Sequence, residues 1–200
     1  RRPCRCSGRV QCAGSTCAAT SAAQAQALMQ QRTIDLIRTI PDWPTPGVMF
    51  KDITPALADS EALFELVEGL AAPYLDVDVT HVVAMEARGF ILGTPVAVML
   101  DAGFIPLRKP GKLPAKTFAE TYELEYGTNT LEMHIDALDA NARVLIVDDV
   151  LATGGTAAAA KRLIAAAGAT VVGSAYVLEL GFLGGRAKLR APIHSLITIE

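Results

Sequence analysis

The run Val144-Leu145-Ile146-Val147-Asp148-Asp149-Val150-Leu151-Ala152-Thr153-Gly154-Gly155-Thr156 limits the fold of this chain more than any other stretch. Val144 to Val147 are apolar and mostly β-branched, which suits a strand buried on both faces of a parallel sheet. The alanines from Ala157 to Ala160 suit a helix. Two acids and a Thr-Gly-Gly-Thr turn thus follow the strand, where α/β folds bind ligands. Gly154 and Gly155 let backbone N–H groups approach a phosphate, Thr153 and Thr156 add hydroxyl donors, and the helix start is electropositive. A phosphate repels carboxylates, so Asp148 and Asp149 point to neutral ribose hydroxyls or to a metal that offsets the charge. The simpler alternative is a tight strand-to-helix turn whose acids are merely solvated.

Two commoner phosphate loops are excluded. A Walker-type loop places Lys and then Ser or Thr after its last glycine, whereas Thr156 and alanines follow Gly155. The three spaced glycines of the dinucleotide fingerprint are also missing.

With 200 residues, 51% of them hydrophobic, the chain can bury one sizeable core, and residues 29–200 are expected to form a single domain. A net charge of -3, with bases scattered among slightly more acids, argues against a nucleic-acid binder. No apolar run reaches the length of a membrane span. Residues 1–28 hold Arg1, Arg2, Arg5 and Arg9, no acid, and Cys4, Cys6, Cys12 and Cys17. They read as a disordered leader, similar to an organelle transit peptide, or as a non-native extension. The cysteine spacing is irregular for zinc and no His lies nearby. The body has no cysteine, which excludes thiol catalysis there and fits a cytoplasmic enzyme.

Apolar spacing predicts a helix over residues 26–40, using Leu28, Met29, Ile34, Ile37 and Ile40 and stopped by Pro41. A second helix is predicted from Ser60 to Leu75, burying Leu63, Phe64, Leu66, Val67 and Leu70. A strand from His81 to Met85, a helix over 91–101 and a strand from Phe104 to Leu107 follow. Residues 117–135 alternate on either side of Gly127-Thr128-Asn129 and predict a protruding hairpin. Beyond the acidic strand come a helix from Gly155 to Ala167, a strand from Thr170 to Leu178, a helical piece over 182–190 and a strand from Ser195 to Ile199. This rhythm predicts an α/β fold: a central, mostly parallel sheet flanked by helices.

The paired acids and the Thr-Gly-Gly-Thr loop resemble the phosphoribosyl-diphosphate motif of type I phosphoribosyltransferases. Pro44-Thr45-Pro46-Gly47-Val48-Met49-Phe50-Lys51-Asp52-Ile53-Thr54-Pro55, Glu86-Ala87-Arg88-Gly89-Phe90, Arg108-Lys109-Pro110-Gly111-Lys112-Leu113-Pro114 and Tyr122-Glu123-Leu124-Glu125-Tyr126-Gly127 occur in the order and spacing of the adenine-specific branch of that family. The resemblance covers residues 29–200. It implies an N-terminal hood, a hairpin lid, Mg2+, a homodimer, and conversion of adenine and 5-phosphoribosyl 1-diphosphate to AMP and pyrophosphate in purine salvage.

Position by position, the resemblance assigns the ribose 5-phosphate site to Asp148, Asp149, Ala152, Thr153, Gly154, Gly155 and Thr156. It assigns pyrophosphate to Glu86, Ala87, Arg88, Arg108 and Lys112. The family commonly has Ser where Ala87 stands, with a cis peptide bond before it. Adenine falls to Met49, Phe50 and Lys51, with Phe50 stacking on the purine and main-chain groups reading its edge; Lys51 stands where Arg is often found. Glu125 and Tyr126 match the pair that handles the adenine N9 proton and closes over the reacting centre. No metal ligand is assigned directly, the Mg2+ being carried mainly by the substrate.

The chemistry supports this division of labour. Displacing pyrophosphate from the anomeric carbon develops positive charge on ribose and negative charge on the leaving group, so a site needs cations at the diphosphate and a dry cover over the sugar. Each residue has a plainer alternative: Glu125 as a solvated hairpin charge, Phe50 as core, and Arg108, Lys109 and Lys112 as a surface patch. His81, His134 and His194 are scattered and suggest no metal site. Competing functions are transfer to another purine, xanthine or hypoxanthine, and a noncatalytic phosphoribosyl-diphosphate sensor that binds DNA through an added domain. The leader has no helix-turn-helix pattern, which disfavours the sensor.

Overall fold

The computed structural model describes residues 31–123, 127–189 and 191–200. In chain order its elements begin with strands β1 (Arg38–Ile40) and β2 (Phe50–Asp52) and helices α1 (Thr54–Ala58) and α2 (Ser60–Ala71). Then come β3 (His81–Met85), α3 (Arg88–Met99), β4 (Gly103–Leu107), β5 (Thr117–Glu123) and β6 (Thr128–His134). The last are β7 (Arg143–Leu151), α4 (Gly155–Ala166), β8 (Thr170–Leu180), two short 3-10 turns and β9 (Ile193–Ile199).

β3 and β7 are apolar at successive positions because both faces of their sheet are covered. Val82, Leu145 and Val147 pack beneath α2 and α3, whereas Val83, Met85, Val144 and Ile146 pack beneath α4. The sheet has the order β4-β3-β7-β8-β9, with every neighbouring pair parallel. From β3 the chain steps outward to β4, and from β7 it steps the other way to β8. The carboxyl ends of β3 and β7 therefore flank a crevice at the point where strand order reverses.

Local chemistry sets the element ends. Asp59 caps α2 by accepting from the N–H groups of Glu61 and Ala62 at 3.1 and 3.0 Å. Asp52 accepts from the Thr54 hydroxyl at 2.7 Å, the Thr54 N–H at 2.9 Å and Arg38 Nε at 3.1 Å. These bonds, the Thr54 hydroxyl first, pull its carboxyl down to about 2 and tie the antiparallel β1–β2 ribbon to α1. Gly93 lets α3 lie close on β3, since a Cβ there would stand 2.7 Å from that of Ala84.

Several expectations are corrected. Within the expected helix over 26–40, only residues 31–35 of the described part are helical; Arg38–Ile40 pairs with Phe50–Asp52 as strand β1. Residues 26–30 lie outside the described residues. Phe64 is 58% exposed rather than buried, although Leu66, Val67 and Leu70 of the same helix are buried. β7 runs to Leu151, so Asp148 and Asp149 belong to the strand itself rather than to the turn after it. The hairpin forms as expected, but it does not stand free of the body: Tyr122, Leu131 and Met133 are buried in the core shared with α4. Among the described residues no helix is long and apolar enough to cross a membrane.

Candidate active site

Two helix N-termini open onto the crevice. α3 begins at Arg88 behind Ala87 and α4 begins behind Gly154, and neither N-cap residue supplies a side-chain cap. Their first N–H groups are therefore available to anions. The peptide bond between Glu86 and Ala87 is cis, as the family resemblance implies.

A cavity of about 340 Å³ is lined by Glu86, Ala87, Arg88, Asp148, Asp149 and Thr156, with Lys109, Tyr122 and Asn129 on its far wall. A second, of about 130 Å³, is lined by Asp148, the loop from Val150 to Thr156 and Tyr176. The two share Met85, Asp148 and Thr156. Glu86, Ala87 and Arg88 of the expected diphosphate set are thus brought beside the expected ribose-phosphate residues, whereas Arg108 and Lys112 line neither cavity.

The phosphate loop is shaped by backbone packing. Gly154 has a φ of 75°, and a Cβ on it would lie 2.5 Å from the Gly185 carbonyl oxygen. Gly89 serves the neighbouring wall, where a Cβ would stand 2.7 Å from Asp148 Oδ1. Thr156 donates to the Tyr122 hydroxyl at 3.3 Å, joining the loop to the hairpin.

Burial, then the neighbouring Asp149 charge, holds the Asp148 carboxyl well above the usual aspartate range. Asp149 is also raised by burial, with Arg88 opposing the shift. Arg88 Nε lies 2.7 Å from Asp149 Oδ2, yet that oxygen is buried with no aligned hydrogen bond. The contact is an ion pair that leaves an acceptor unsatisfied.

The remaining expected residues are placed less uniformly. Arg108 donates through Nε to Glu86 at 3.0 Å and through Nη1 to the Lys112 carbonyl at 3.3 Å. Lys112 is exposed and lines neither cavity, whereas Lys109 lines the larger one. Phe50 lines neither, but the Arg88 guanidinium lies 5.0 Å from its ring centroid and Trp43 packs edge-on at 4.3 Å. Met49 is 56% exposed, and Lys51 Nζ donates to Thr39 at 2.8 Å, leaving its main chain on strand β2. Glu125 and Tyr126 lie outside the described residues. Tyr122, Asn129 and Tyr176 were not expected in the site; the hairpin pattern alone held a signal for the first two, because the side chains of Tyr122 and Asn129 face each other in its ladder.

The fold and crevice are those of a phosphoribosyltransferase: the sequence model of the phosphoribosyl transferase domain matches residues 54–195. The adenine phosphoribosyltransferase of Thermobifida fusca is 61% identical over 153 residues, which span 76% of this chain and 87% of that protein. The crystal structure of adenine phosphoribosyltransferase from Rhodothermus marinus superposes with a TM-score of 0.83 at 51% identity, covering 86% of this chain and 99% of that one. The Saccharomyces cerevisiae enzyme, crystallised with adenine and an imino-altritol bisphosphate, gives 0.81 at 37% identity over 86% of this chain and 99% of its own. This chain belongs to the adenine phosphoribosyltransferase family.

Proposed function

We propose that the protein transfers the 5-phosphoribosyl group of 5-phosphoribosyl 1-diphosphate to N9 of adenine, releasing pyrophosphate and forming AMP in purine salvage. The observation that carries this reading is the pair of uncapped helix N-termini beside a shared acidic strand end, which suits a sugar with a phosphate at each end.

The loop from Ala152 to Thr156 takes the 5-phosphate through its N–H groups and hydroxyls. Asp148 and Asp149 accept from the ribose hydroxyls. Arg88, Arg108 and Lys112, with Lys109 added from the cavity wall, hold the diphosphate beside the Ala87 main chain, while Glu86 holds Arg108 in place. As the C1–oxygen bond breaks, its electron pair leaves with pyrophosphate, and these cations stabilise the growing charge. The N9 lone pair forms the new bond to C1, and Glu125 takes the N9 proton while Tyr126 and the hairpin tip close over the sugar.

Met49, Phe50 and Lys51 form the adenine hood, with Phe50 stacking on the base. The ring contact with Arg88 means that a purine seated there meets the residue that serves the diphosphate.

Asp148 and Asp149 also suit a divalent ion arriving on the diphosphate, because carboxylate oxygens are hard donors. Among the described residues no group of three or more His, Cys, Asp or Glu is gathered to hold a metal. When bound, Mg2+ supplies positive charge to the leaving group. We further read the enzyme as a cytoplasmic homodimer: residues 31–200 contain no cysteine, and an apolar face on α2 and α3 is exposed.

AMP formation measured with adenine, hypoxanthine, guanine and xanthine in parallel tests the reading. Adenine is expected to be the preferred acceptor; no turnover with adenine sinks the proposal, and preference for a 6-oxopurine transfers it to another base.

A further inference from the structure

An ion pair between the buried Glu179 and the half-exposed Arg186 stands behind the phosphate loop and is not used by the proposed chemistry. Glu179, near the end of β8, is 5% exposed. It accepts from Arg186 Nε at 2.8 Å, again from Arg186 Nη2, and from the Ser195 hydroxyl at 2.7 Å. Arg186 Nη1 also donates to the Ile193 carbonyl at 3.1 Å. The Arg186 fork therefore ties its own short 3-10 turn, Gly185–Lys188, to the ends of both β8 and β9. Arg186, then Ser195, holds the Glu179 carboxyl below the usual range against the effect of burial.

The first residue of that turn lies directly on the phosphate loop. A Cβ on Gly185 would stand 2.1 Å from the Ala152 carbonyl oxygen and 2.9 Å from the Gly154 nitrogen. In return, a Cβ on Gly154 would meet the Gly185 carbonyl oxygen. Backbone thus touches backbone with no side chain between. A close-packed contact of this kind transmits displacement instead of absorbing it.

We propose that Glu179, Arg186 and Ser195 are positioning residues that hold Gly185 against the Ala152–Gly154 backbone and so set where the loop's N–H groups point. The inference rests on the reading that this loop takes the 5-phosphate. The diphosphate side hangs from β3 and α3, which the brace does not touch, so the two ends of the substrate respond differently.

Equilibrium binding of ribose 5-phosphate and of pyrophosphate to the full chain separates the possibilities. Arg186→Met is expected to weaken ribose 5-phosphate by about tenfold or more, since misplacement of about 1 Å can cost on the order of 100-fold. Pyrophosphate affinity stays within about twofold. In turnover, KM for phosphoribosyl diphosphate rises while KM for adenine holds. Ser195→Ala, which deletes one hydroxyl, shifts ribose 5-phosphate in the same direction by a smaller factor and provides the comparison if Arg186→Met does not fold. Arg186→Lys keeps the charge but not the fork and behaves like Arg186→Met. Equal weakening of both ligands, or unchanged ribose 5-phosphate affinity, overturns the brace. Failure of the unaltered protein to bind ribose 5-phosphate instead removes the reading of the loop.

Discussion

Arg88 and Asp149 meet across the crevice with Nε 2.7 Å from Oδ2, yet the geometry leaves that oxygen without an aligned hydrogen bond. The pair links the start of α3 to the end of β7, the two elements that carry the two proposed anion sites. Asp149→Asn keeps the shape and removes the charge. It is expected to raise KM for phosphoribosyl diphosphate by about tenfold, the scale of one hydrogen bond to a charged group. Steady-state kinetics with each substrate varied in turn checks this, and an unchanged KM removes Asp149 from the ribose site.

Asp148 pulls stability and function apart. Its carboxyl is raised by burial and by Asp149, so the unfolded chain gives up this proton at lower pH than the native state does. Its effect on stability is therefore most favourable below the ordinary aspartate range and worsens as pH rises through the raised native value. Asp148→Asn is expected to melt higher than the unaltered protein at neutral pH, with the gain vanishing in acid, while losing activity. Thermal unfolding across pH provides the check; a lower melting point at neutral pH contradicts the expectation.

Phe50 carries the base-recognition proposal. Base stacking on an aromatic ring is worth about 1–3 kcal/mol, so Phe50→Leu is expected to raise KM for adenine by about tenfold or more. Because Phe50 also touches the Arg88 guanidinium, a smaller rise in KM for phosphoribosyl diphosphate accompanies it. An effect confined to phosphoribosyl diphosphate moves adenine elsewhere.

Under the proposed homodimer reading, the apolar face between α2 and α3 is the interface. Phe64 is 58% and Val98 77% exposed, beside Leu63, Val67 and Pro95. Phe64→Asp combined with Val98→Asp is expected to convert a dimer to a monomer in sedimentation experiments without lowering the melting point of the isolated subunit fold. A dimer that persists places the interface on another surface.

How far the sequence revealed this arrangement depended on whether the decisive contacts were local. His81 to Met85 was legible because an unbroken apolar run already states that both strand faces are covered. The end of β7 was not, because polar side chains at Asp148 and Asp149 look like the end of a pattern even though their backbone continues the ladder beside β8. Ile37 and Ile40 fit a helical period, but β2 gives the chain from Arg38 to Ile40 a strand partner that spacing alone does not reveal. Periodicity places Phe64 on the core face but does not say which residues of that face the same chain covers, and Phe64 is exposed.

The site followed the same division. The acidic strand end, the Thr-Gly-Gly-Thr loop and Glu86-Ala87-Arg88 are contiguous and could be recognised as units. Tyr176 and Gly185 come from later segments and reach the loop only through folding. Their signals are faint: an acid at Glu179 within an otherwise apolar strand end, and the pair Gly184-Gly185 ahead of β9, have no evident purpose in isolation.

The adjacency of β3 and β7 has a consequence for how such a protein can change. Neighbouring strands stand about 4.8 Å apart, a spacing fixed by main-chain hydrogen bonds that no side-chain substitution resets. The separation of the two proposed anion sites is therefore inherited from the ladder, whereas Met49, Phe50 and Lys51 sit on a small ribbon outside it. Under the proposed reading, the donor is the conservative half of the reaction, and a lineage acquires a new acceptor by rewriting the ribbon while the sheet keeps its gauge.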